Sequence, residues 1–123
     1  MSDVDKREHA RFALQIPVSL YVGPERVTMP ATLLDLSRGG CFLQTSIPIE
    51  IGKVSTVTFI VRPTKKCTAR GKVVRLQSGQ GFGVQFLEAN ESFREFVGDL
   101  ASLRPALRAE FLANVLTPEM RLV

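Results

Sequence analysis

The sequence predicts a mainly β domain, an antiparallel barrel or sandwich of short strands followed by helical segments. Three observations carry this expectation. From Phe12 onward there are six short strand-like runs, most of them with apolar residues alternating at period two. Turn clusters containing Gly, Pro and Ser separate the runs, with no helical pattern between them. Near Asn90 the apolar period lengthens to that of a helix.

The first run sets Phe12, Leu14, Ile16, Val18, Leu20 and Val22 against Ala13, Gln15, Pro17, Ser19 and Tyr21, a strand with one buried face. Pro17 falls on the outward set, where its missing N–H suggests an edge or a bulge. Gly23-Pro24-Glu25 is turn chemistry, and a second strand follows from about Arg26 to Leu36. Its phase changes between Val27/Met29/Ala31/Leu33 and Leu34/Leu36, as a bulge or strand end requires. Gly39-Gly40 punctuates, and Cys41-Phe42-Leu43-Gln44 gives a short third strand. Val57, Phe59 and Val61 share one face of the fourth, with Thr56, Thr58 and Arg62 opposite. After Pro63-Thr64-Lys65-Lys66 the fifth runs from about Cys67 to Leu76. Ser78-Gly79-Gln80-Gly81 is a hairpin connection into Phe82, Val84 and Phe86. Its glycines are not a phosphate-binding loop, because such loops open a helix and this one opens a strand.

Asn90 suits an N-cap, and Phe93, Phe96, Val97, Leu100 and Leu103 then fall at helical spacing. That helix lays an apolar stripe on the barrel or across its mouth. Pro105 suits the first position of a second helix, whose stripe is Leu107, Phe111, Leu112, Val115 and Leu116. This second stripe either packs internally or forms a subunit contact, which would make a homodimer through the C-terminal helix. The expected organisation is a flexible N-terminal segment over 1–11, barrel and helix over 12–104, and a C-terminal helical extension over 105–123.

Composition narrows the function. The 123 residues are 45% hydrophobic and 23% charged, which is ordinary for one globular domain. No apolar run approaches the roughly 20 residues that span a bilayer, and the polar start Met1-Ser2-Asp3-Val4-Asp5-Lys6 is no signal peptide. A cytoplasmic protein without a membrane partner is expected. Cys41 and Cys67 are isolated, so both read as small buried apolar residues, and the single histidine, His9, argues against a zinc site. No GxSxG, Cys–His pair or Walker-type lysine supports an enzyme. The net charge of +4 favours an anionic partner without naming one. Single-stranded nucleic acid asks for exposed aromatics among basic residues, whereas Phe59, Phe82 and Phe86 fall on core faces and Tyr21 stands alone.

Two short motifs flank the first strands. Arg7-Glu8-His9-Ala10-Arg11 is an RxxxR immediately before the first strand, and Asp35-Leu36-Ser37-Arg38-Gly39-Gly40 is a DxSxxG between the second and third. At this arginine content chance supplies roughly one RxxxR per chain, and Arg104/Arg108 is another, read as a solvated helix face. Chance supplies only about 0.02 DxSxxG per chain, so that motif is the specific one. Together with the strand Gly83-Val84-Gln85-Phe86, the two motifs make the chain resemble the PilZ domain, the bacterial receptor module for cyclic di-GMP. The resemblance covers about residues 5 to 104. It implies a six-stranded antiparallel β-barrel with a C-terminal helix or helices. It also implies that Arg7 and Arg11 bind ligand phosphates and guanine edges, and that Asp35, Ser37 and Gly40 hold a guanine from the barrel surface. No cofactor beyond the nucleotide ligand is implied. Lys6 stands where many members carry another arginine. That neighbourhood influences whether one nucleotide or an intercalated pair is bound.

The chemistry suits the ligand. Guanidinium groups match phosphate oxygens and the guanine O6/N7 pair bidentately, and they stack on bases. A carboxylate accepts from the N–H groups on the other guanine edge, the role open to Asp35. Ser37 offers a small donor and acceptor, and Gly39 and Gly40 let backbone approach a planar base. Each residue also has a plainer role: Asp35, Ser37 and the glycines as a turn, Arg7 and Arg11 as a solvated tail, His9 as a spectator, Arg38 as either a ligand cap or a solvent-facing side chain. Two functions follow. One is a cyclic di-GMP receptor that orders its N-terminal arginines on binding and signals to an unidentified downstream protein. The other is a PilZ-like adaptor that acts through protein contacts alone. Motility, pili, polysaccharide secretion and development are all family outputs, and no residue selects among them.

Overall fold

The computed structural model describes residues 11–22 and 28–116. Lys6, Arg7 and His9, and the turn at Gly23-Pro24-Glu25, lie outside them. The chain forms β1 (Phe12–Val22), β2 (Thr28–Leu36), β3 (Gly40–Gln44), β4 (Val54–Val61), β5 (Lys65–Gln77) and β6 (Gly81–Ala89). Then come α1 (Glu91–Ser102), α2 (Pro105–Leu112) and a two-residue strand, β7 (Val115–Leu116). The order across the sheet is β1-β2-β3-β6-β5-β4, and β1 pairs again with β4, closing a six-stranded antiparallel barrel.

The alternation in β1 is realised as read. Phe12, Ile16, Val18, Leu20 and Val22 are buried, while Ala13, Gln15 and Pro17 are exposed. The phase change in β2 is a register shift between Leu33 and Asp35, after which Leu36 again points to the core opposite Cys41. Pro17 sits where a strand without a donor is tolerable. β1 pairs with β4 only from Ser19 to Val22. Continued backward, that register would set Pro17 opposite Ile60. There β7 takes over instead, with Leu116 opposite Ile60 and Val115 opposite Val61.

Asn90 fixes the start of α1. Its side-chain oxygen accepts from Phe93 N at 2.8 Å, and its amide donates to Lys66 O at 2.9 Å, tying cap to β5. Phe93, Phe96, Val97 and Leu100 then face inward over one end of the barrel. The ring centroid of Phe59 lies 5.7 Å from that of Phe93 and 4.9 Å from that of Phe96, and Phe86 meets Phe93 edge-on at 5.2 Å.

The second helix departs from expectation. It ends at Leu112, and Val115–Leu116 is a strand on β4 where a continued helical stripe was expected. Competition for the open backbone of β4 decides this: a β-branched residue followed by Leu completes a ladder that β1 leaves unfinished. Part of the stripe still packs internally, Phe111 stacking on Phe96 at 5.1 Å, while Leu107 stays exposed. Cys41 and Cys67 are buried free thiols. Among the described residues no helix is long and apolar enough to cross a membrane.

Candidate ligand site

The site is built at the turn from β2 to β3. Because Leu36 faces the core, its neighbour Asp35 faces out, paired across the sheet with Ala13 on β1 and Phe42 on β3. Arg11 directly precedes β1. Its guanidinium Nη1 donates to Asp35 Oδ1 at 3.2 Å, joining the two motifs across 24 positions of sequence. Both side chains keep access to solvent, 37% for Arg11 and 30% for Asp35, so the pair is open to an incoming ligand.

Ser37 and Gly40 are placed differently. Ser37 is 5% exposed. Its Oγ accepts from Gly39 N and Gly40 N, each at 3.2 Å, and donates to Gly40 O at 3.3 Å. A second tie runs from Ser37 N to Gly40 O at 2.9 Å. The hydroxyl thereby uses its donor and both acceptor positions on the turn. Gly40 is glycine for want of room, since a Cβ there would lie 2.3 Å from Val84 O on β6. In this conformation, then, Arg11 and Asp35 present chemistry outward, and Ser37 and Gly40 hold the backbone that presents it. The Cys41 thiol on the inner side of β3 has its pKa driven well up by burial, with Asp35 adding to the rise and Arg11 opposing it.

A family model described as PilZ domain matches residues 5–101, most of the chain. This chain belongs to the PilZ domain family. PilZ domains are cyclic di-GMP-binding and adaptor modules, not typically enzymes. No curated protein matches the chain. The PilZ match takes in both motifs, including Lys6 and Arg7 outside the described residues, and ends inside α1, so α2 and β7 lie beyond it.

The structure adds residues to this PilZ surface that the sequence did not single out. On the outer face, Asp35, Phe42, Gly83 and Arg75 form one row across β2, β3, β6 and β5. The Arg75 guanidinium carbon stands 5.6 Å from the Phe42 ring centroid, and Gly83 leaves room for the arginine to cross β6. One signal was present in the sequence: Cys41-Phe42-Leu43 is apolar without alternation, so one of the three has to face outward. Beside the turn, Arg38, Phe86, Ala89, Phe93, Arg94 and Val97 line a cleft of about 200 Å³. Arg108 corrects the reading of the second RxxxR as a solvated face. Its guanidinium carbon lies 5.0 Å from the ring centroid of Phe12, and its Nε is buried without a hydrogen-bond partner. Arg104, at the N-cap of α2, makes no side-chain cap bond.

Proposed function

We propose that this PilZ domain is a cyclic di-GMP receptor that passes its signal to a separate protein. The observation that carries the proposal is the outward-facing Arg11–Asp35 pair, which brings the two motifs to one place on the barrel. On binding, Asp35 turns to a guanine N–H edge, while Arg11, with Arg7 and Lys6 from the preceding segment, takes phosphate and guanine O6/N7. Ser37 and Gly40 fix the backbone under the base. The outer row continues from Asp35 to Phe42 and Arg75, giving a second base a flat guanidinium to stack on. Fixing the N-terminal arginines against the barrel creates a surface that differs between the free and bound states, the basis of a switch.

Isothermal titration of the protein with cyclic di-GMP tests this. The wild type is expected to bind with about −8 kcal/mol, a micromolar affinity, or somewhat better. Arg11→Ala is expected to abolish the heat of binding with a nearly unchanged melt, because an exposed ion pair contributes only about 0–1 kcal/mol to stability. Asp35→Ala is expected to weaken binding by roughly 1–3 kcal/mol. A loss with Arg104→Ala as large as with Arg11→Ala would place the ligand elsewhere.

One observation favours the second function, an adaptor that binds no nucleotide: Arg11 and Asp35 satisfy each other, and the Ser37 hydroxyl is committed to its turn. A flat wild-type titration at tens of micromolar protein would establish that reading over the receptor.

A further inference from the structure

The cleft between α1 and the DxSxxG turn joins apolar walls to two basic side chains. Phe86, Ala89, Phe93 and Val97 make its walls apolar, and among the described residues the charged ones lining it are Arg38 and Arg94. Arg38 is exposed and makes no hydrogen bond or ion pair with another described residue. Arg94 reaches back along the rim, where one guanidinium nitrogen donates to Ala89 O. Of the acids on β6 and α1, Glu95 pairs with Lys65 and Glu88 with Arg70, and neither Glu91 nor Asp99 lines the cleft. At about 200 Å³ the cleft is smaller than the roughly 300–1,000 Å³ of pockets that enclose small-molecule ligands. It is of the size that takes one large side chain as an anchor.

We propose that this cleft is the docking site for an acidic segment of a partner protein. One Leu, Met or Phe enters between Phe86, Phe93 and Val97, and carboxylates on either side meet Arg38 and Arg94. Charge complementarity selects an acidic occupant over a basic or neutral one. The place is also suited to reading the ligand state. Arg38 lies inside the DxSxxG turn, between Ser37 and Gly39, and Gly39 O accepts from Phe86 N at 2.9 Å. A ligand that shifts the turn therefore moves one wall of the cleft and pulls on the strand that floors it. This coupling deepens the receptor proposal, whereas the docking itself does not depend on nucleotide binding.

The test is selection of a displayed random peptide library on the full chain, with and without cyclic di-GMP. Enriched peptides are synthesised and titrated by fluorescence polarisation. The expected motif is a single large apolar residue flanked by Asp or Glu. Replacing that residue by Ala, or using Arg38→Glu or Arg94→Glu protein with an unchanged melt, is expected to cost tenfold or more in affinity. Ala89→Trp, which fills the cleft without touching charge, is expected to do the same. Several results would overturn the proposal: no enrichment, a motif without acids, or equal binding to the charge-reversed proteins. Concentration-dependent self-association lost in Arg94→Glu would assign the cleft to a second copy of the chain instead. Loss of cyclic di-GMP binding in Arg94→Glu, with direct competition between nucleotide and peptide, would assign it to the nucleotide. A flat nucleotide titration beside intact peptide binding refutes the receptor function and leaves the docking site standing.

Discussion

Ser37 and Gly40 show how the DxSxxG motif divides its work between a side chain that faces solvent, Asp35, and residues that hold the turn. The Ser37 hydroxyl closes three hydrogen bonds inside its own turn, and Gly40 admits the carbonyl of Val84 against its α-carbon. Their loss is therefore expected to register in stability before it registers in ligand binding. Ser37→Ala strands the Gly39 and Gly40 N–H groups and is expected to cost about 1–3 kcal/mol in denaturant unfolding. Gly40→Ala forces β3 and β6 apart and is expected to cost at least as much. If both variants kept the wild-type unfolding midpoint, the turn would not be the scaffold described. Which residues carry the motif was legible from sequence, since DxSxxG is rare by chance. How its roles are shared was not, because that depends on whether a side chain points to solvent or into its own turn.

At the scale of elements, period-two runs, the short apolar run Cys41-Phe42-Leu43 and turn clusters located all six barrel strands, and Asn90 located the start of α1. The failures came where two elements compete for one partner. Leu112 to Leu116 carries apolar residues at helical spacing, yet the free backbone of β4 draws Val115 and Leu116 into a ladder. Arg108 was read as solvated because helix position alone does not reveal that Phe12 lies beneath it. Packing, more than charge, is what Arg108 supplies. Arg108→Ala is expected to lower stability by about 0.5–1 kcal/mol through the uncovered Phe12 ring. Arg108→Met keeps apolar contact and removes a buried Nε without a partner, so its melt is expected to equal or exceed wild type. A Met variant as unstable as the Ala variant would return the contribution to charge.

For the whole molecule, closure of the barrel and capping by α1 seal two thiols in the interior. Burial pushes the Cys67 thiol up to about 11 from an ordinary 9.0, and it raises Cys41 as well. In the unfolded chain both ionise near pH 9, while in the folded chain they keep their protons. Folded protein then binds more protons than unfolded, and stability falls as pH rises. For Cys67 the stabilisation is complete below about pH 9 and is lost between about pH 9 and 11, at up to about 1.4 kcal/mol per pH unit. The raised Cys41 thiol adds a loss in the same direction. Urea melts from pH 8 to 11 measure the slope, and a C41A/C67A variant is expected to flatten it. An equal slope in that variant would assign the alkaline loss to other groups. That the cysteines are buried apolar residues was legible in their isolation. The size of the perturbation depends on the closed sheet around them.

The relay at β4, where β1 stops at Ser19 and β7 continues the ladder at Ile60 and Val61, bears on how the protein behaves when shortened. Removing the chain beyond Asn114 would leave the six barrel strands and α1 in place. It would also bare the N–H and C=O of Ile60, the position that faces β7, beside a proline-bearing strand that cannot shield them. Bare backbone of that kind recruits a strand from another molecule. A domain cut after Asn114 is thus expected to fold and then clump, its insolubility a consequence of a missing two-residue patch, with the fold intact.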